Sequence, residues 1–120
     1  MNQSLSELKD FITSEIEKED SHSPPAFGKA GACVGALESL FPNDSREIRK
    51  WKRYGLLRFF LGKNTIKTCT DGECTVLLRF ATVNIGDDQR PRWIARPKAI
   101  LQAAEIIKYL DAEAGQGALL

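Results

Sequence analysis

The sequence is poor in the residues that build most catalytic centres. It has one histidine and three cysteines in 120 residues. That leaves almost nothing for a zinc site of the usual His/Cys kind. A nucleophile–histidine centre would rest on His22 alone, inside Ser21-His22-Ser23-Pro24-Pro25, where adjacent residues cannot orient one another into a triad. No glycine-rich phosphate loop with its lysine is present. Asp87-Asp88 stands without the further ligands that a cation needs. Long apolar runs are missing too. The longest, from Thr75 to Ala81, is broken by Arg79, so no transmembrane helix is expected. The opening MNQSLSELKDF has neither the basic nor the apolar part of a secretory signal. A cytoplasmic, non-enzymatic protein without metal or cofactor is expected, its thiols reduced.

What is present suits one soluble domain. The length matches a single unit, and a hydrophobic fraction of 42% can supply a core. The net charge of +1 hides a segregation. Residues 1–40 carry three lysines against seven acids. Residues 44–67 carry eight basic side chains, Arg46, Arg49, Lys50, Lys52, Arg53, Arg58, Lys63 and Lys67, against Asp44 and Glu47. Local asymmetry of this kind speaks to partners.

Apolar spacing organises the chain. Leu5, Leu8, Ile12 and Ile16 predict a first helix capped by Ser4 or Ser6, with an acidic outer face. A second, small-residue helix is expected over about 26–40. A third begins after Asp44 or Ser45 and ends near Tyr54, with Gly55 as its left-handed stop. At 100° per residue, Arg46, Arg49, Lys50 and Arg53 share about 100° of arc, with Ile48, Trp51 and Gly55 opposite. That arithmetic predicts a basic face and a packed face, with Trp51 in the core; the other reading of Trp51, an aromatic interleaved among basic residues, is stacking on single-stranded bases. Two β-branched runs around Asp71-Gly72 read as a hairpin over 64–83. Cys69 and Cys74 would then face each other across it, and Cys33 would be a small core residue. Asn84–Arg96 reads as a polar loop with an apolar plug, Trp93-Ile94. Pro97 opens a last helix to about Glu113, and residues 115–120 form a tail beyond the domain at 1–114. The wide apolar stripe of residues 97–113 predicts a homodimer through that helix.

Residues 46–57, Arg-Glu-Ile-Arg-Lys-Trp-Lys-Arg-Tyr-Gly-Leu-Leu, resemble the recognition-helix segment of the MerR and excisionase superfamily of winged-helix DNA-binding proteins. The family's arginine, aliphatic, arginine, aromatic and Gly-Leu-Leu positions are all filled. The resemblance implies an α+β winged helix-turn-helix: three N-terminal helices, a β-hairpin wing and a C-terminal helix. It further implies a small regulator or excisionase-type protein that binds double-stranded DNA. Arg46, Arg49, Lys50 and Arg53 would then face the major groove, with Lys52, Arg58, Lys63 and Lys67 at phosphates. The acids Asp71 and Glu73 at the expected wing tip depart from the family, as does the long acidic lead-in. The alternative is a protein-interaction module on the same fold, such as a phage or plasmid accessory or inhibitor protein. Its working surface would be the acidic first helix or the apolar last one.

Overall fold

The computed structural model describes residues 1–82 and 95–116. It comprises α1 (Gln3–Glu19), α2 (Lys29–Glu38), α3 (Arg46–Leu61), a 3₁₀ turn at Ile66–Thr68, α4 (Asp71–Ala81) and α5 (Pro97–Gln116). Helix α4 lies in the middle and touches α1, α2 and α5, while α3 packs on α1, α2 and α5. Leu37, Leu56, Leu57, Leu77 and Ile106 are fully buried and hold the layers together. An isolated antiparallel bridge, Thr82–Ala95, and the bond from Arg96 N–H to the Ala81 carbonyl (2.8 Å) bring the end of α4 to the start of α5.

The hairpin wing expected over 64–83 does not form over its described residues: a 3₁₀ turn at Ile66–Thr68 and helix α4 at Asp71–Ala81 stand in its place. Among the described residues there is no strand, so the α+β winged helix-turn-helix architecture does not hold. The reason lies in Thr70-x-x-Glu73. The Thr70 hydroxyl accepts from Glu73 N–H (3.2 Å), and the Glu73 carboxylate accepts from Thr70 N–H (2.8 Å). This reciprocal capping box starts a helix. Cys74, Leu77, Leu78 and Ala81 follow at helical spacing and are buried. Asp71 and Gly72 thus sit in the first helical turn rather than at a hairpin tip. Gly72 is needed there for a close approach: a Cβ would come 3.1 Å from the Ser21 carbonyl and 3.2 Å from the Glu19 Cβ. The expected Cys69–Cys74 cross-strand pair goes with the hairpin. Cys69 closes the 3₁₀ turn, and Cys74 lies in α4.

Smaller differences concern helix ends. Asn2, not Ser4 or Ser6, caps α1 by accepting from Leu5 N–H (2.8 Å). Ser45 caps α3, accepting from Ile48 N–H (3.3 Å), as one of the two expected residues. Helix α3 runs through Gly55 to Leu61, and the left-handed stop is Gly62 (φ 68°). Gly55 is buried where α5 crosses, with room for a Cβ only 3.2 Å from Leu110 Cδ1. Helix α5 extends to Gln116. The Asp87-Asp88 pair and the Trp93-Ile94 plug lie outside the described residues.

Candidate functional site

The extension of α3 past Gly55 turns Arg49 and Arg53 inward and leaves Ile48 and Trp51 outside. Leu56 and Phe60 fall on the same side of the helix as Arg49 and Arg53. Both are buried, so that side turns inward. Arg53 consequently lies half under the bundle edge. It pairs with Glu38 of α2 at 2.5 Å, is only 13% exposed, and stacks its guanidinium 4.9 Å from the Tyr54 ring. Arg49 Nε donates to the Asp44 carbonyl (3.1 Å). Lys52 binds the Asp44 carboxylate (2.6 Å) and lies 5.3 Å from the Phe41 ring centroid. These three tie α3 to α2 and to the turn that precedes it.

The opposite side faces solvent. Trp51 is 63% exposed and Ile48 44% exposed, which overturns their placement in the core. Tyr54, Glu47, Arg58 and Trp51 fall within about 60° of arc on the outward side, while Arg46 and Lys50, in line with the buried Leu57 two to three turns on, are exposed at the N-terminal end of the helix. Tyr54 meets Trp51 edge to face, with ring centroids 5.7 Å apart, and so steadies the indole. Arg46, Lys50 and Arg58 are exposed and have no carboxylate within ion-pair distance among the described residues. Sequence periodicity places Trp51 in the core and passes over Tyr54, although Leu56–Phe60 carry the signal. Read as one helix with residues 46–54, those apolar positions fix which side is buried.

The remaining expected contacts are scattered. Lys63 belongs to the α4 cap: its Nζ donates to Glu73 (2.7 Å) and to the Thr68 carbonyl (2.9 Å). Lys67 is exposed on the 3₁₀ turn. Of the eight basic residues expected at DNA, three are therefore in intramolecular ion pairs and a fourth holds a backbone carbonyl.

The polar groups at the start of α4 form a second cluster. Asp71 pairs with Lys29 (3.0 Å) and accepts from Ala26 N–H (3.2 Å). The Lys29 bond, then the amide, lower its carboxyl below the usual range. Lys29 also donates to Thr75 Oγ1 (2.9 Å). Asp71 N–H and Gly72 N–H donate to the carbonyls of Ser23 (2.9 Å) and Ser21 (3.3 Å). Together these bonds clamp the 20–28 loop onto α4. Behind them lie Cys33, Cys69 and Cys74, all buried and free. The neighbouring Cys74 thiol, and then burial, push Cys33 far up. Burial pushes Cys69 up to about 11. Such closed thiols are structural. His22 is exposed beside Asp20. No group of three or more His, Cys, Asp or Glu side chains among the described residues is placed to hold a metal ion.

The apolar stripe of α5 is largely covered by the chain itself. Ala99, Ala103 and Ile106 are buried, and Ile107 and Leu110 pack around Gly55. Leu101, at 69% exposure, is left outside. The stripe width on which a homodimer was expected thus reflects intramolecular packing. No described helix is long and apolar enough to cross a membrane.

No protein-family model, curated protein or solved structure matches this chain. The geometry of α3 therefore carries the functional reading.

Proposed function

We propose that this chain is a non-enzymatic protein-interaction module, acting in the cytoplasm, that docks an acidic segment of a partner on the outward face of α3. The observation that carries the reading is Trp51, a large aromatic 63% exposed on a rigid helix. Trp, Tyr and Arg are the residue types that dominate interface energetics. Here Trp51 and Tyr54 supply the anchor, and Arg46, Lys50 and Arg58 supply cations complementary to carboxylates. Glu47 lies amid that stripe and repels a phosphate backbone, while it tolerates a protein surface of mixed charge.

Duplex DNA in contact with the same helix is the second reading. It is supported by the exposed cations Arg46, Lys50 and Arg58. It is weakened by the loss of the wing and by the internal bonds of Lys52, Arg53, Lys63 and Arg49. The test measures binding of a labelled peptide of alternating Asp/Glu and Leu/Phe, and of random duplex, at two salt concentrations. The expected result is saturable peptide binding that falls at least tenfold in Trp51→Ala and in Lys50→Glu, with weak, salt-erased DNA binding. Tight duplex binding that survives Trp51→Ala but is lost in Lys50→Ala overturns the proposal in favour of DNA.

A further inference from the structure

A second surface lies away from α3. Helices α1 and α4 and the start of α5 enclose an open groove of about 560 Å³. Its floor is apolar, formed by Leu8 and Ile12 of α1 and Val76 and Phe80 of α4. Phe11 stands on its lip, 58% exposed. The two walls carry opposite charge. On α1 stand Glu7 and Glu15, the latter paired with Lys18 at 3.0 Å; across the groove stand Arg79, Arg96 and Lys98. Arg79 shares its charge with Glu19 at 2.8 Å, whereas Arg96 and Lys98 are exposed at the α5 end. The α1 wall runs from Ser4 to Glu15, roughly 16 Å at the helical rise, or about three turns.

We propose that this groove receives an amphipathic helix of a partner protein, about three turns long, with acidic residues along one edge of its apolar stripe and basic residues along the other. An apolar floor bounded by lengthwise charge of opposite sign matches a helix-in-groove geometry. The acidic edge meets Arg96, Lys98 and Arg79, and the basic edge meets Glu7 and Glu15. The stripe covers Phe11, whose exposure has no role in folding the chain. This surface shares no residue with the α3 stripe, so the two proposals fail independently.

The experiment titrates the full chain carrying Trp51→Ala, which removes the α3 anchor so that an acidic, apolar peptide has no second site, with three labelled, helix-stabilised 14-residue peptides that share one Leu/Phe stripe. Their edges are Glu/Lys, Glu/Glu or Lys/Lys. The expected result is saturable binding of the Glu/Lys peptide, at least fivefold tighter than either other. Phe11→Glu, at an exposed site that leaves the fold intact, should weaken it at least tenfold. The double variant Arg96→Glu with Lys98→Glu should turn the preference to the Lys/Lys peptide. Equal affinity for all three peptides, no saturable binding, or binding that emerges only after residues 83–94 are replaced by Gly/Ser would each overturn the proposal. In the last case the groove belongs to the chain's own segment.

Discussion

The first turn of α4 and the first half of α3 both abound in polar side chains, yet they do opposite things with them. At α4, Thr70, Asp71, Glu73 and Thr75 all have partners inside the chain, and so do Lys29 and Lys63, which reach them. On α3, the inward cations are likewise bonded, but Arg46, Lys50, Trp51 and Arg58 stand outward. A polar or aromatic group whose bonds are satisfied within the chain is part of the fold, and its loss is read as stability. A group left outward contributes little to stability and is available to a partner.

That contrast can be broken most forcefully from the core that both regions share. Leu77→Ala, at a fully buried position of α4, should cost about 2–5 kcal/mol in a denaturant melt. Gly72→Val should follow at about 1–3 kcal/mol, since the new side chain meets the Ser21 carbonyl and the Glu19 stem. Proteolysis of the 20–28 loop should accelerate alongside. Thr70→Val removes one half of the capping box and should cost about 1 kcal/mol.

The clamp also sets a pH dependence. The folded Asp71 carboxyl titrates below its ordinary value of 3.8 because Lys29 and the Ala26 amide favour its charged form. Its stabilising contribution is therefore fully present above 3.8 and is lost as pH falls through the lower, folded value. Asp71→Asn should be less stable than the parent at pH 6. The gap should close as acid is added below pH 3.8, and a parallel offset across that whole range would contradict the clamp. The smallest effect sharpens the comparison most. Trp51→Ala should change stability by no more than about 0.5 kcal/mol, because its ring is mostly in water. A loss of several kcal/mol would return Trp51 to the core.

How much of this was legible in the sequence varies with position. The periodicity of α1, the cap at Ser45 and the start of α5 at Pro97 were readable, because each rests on local geometry. The third helix was misjudged at Gly55, whose missing side chain suits a helix stop and a close helix crossing equally well. Only Leu110 and Ile107 packed against it decide between the two. That one choice misplaced Arg49 and Arg53 on the open side of α3 and put Trp51 in the core. At 64–83, the Asp-Gly pair and the β-branched Thr65, Ile66, Thr68, Thr75 and Val76 suggested strands, although Thr70-x-x-Glu73 was already the stronger, helical signal.

The sequence by itself determined the charge segregation, the scarcity of histidine and cysteine, and the concentration of basic residues in one segment. It could not determine which of those basic residues are free. Arg53 finds Glu38, 15 residues away, only once α2 and α3 pack together, and Lys52 and Lys63 find Asp44 and Glu73, 8 and 10 residues away, only once the turns at either end of α3 are set. Charge is a property of the residue, whereas its availability depends on which opposite charge the tertiary packing brings within reach. For the same reason α3 acquired its outward face only from the burial of Leu56, Phe59 and Phe60, which fixed the helix's rotation about its axis.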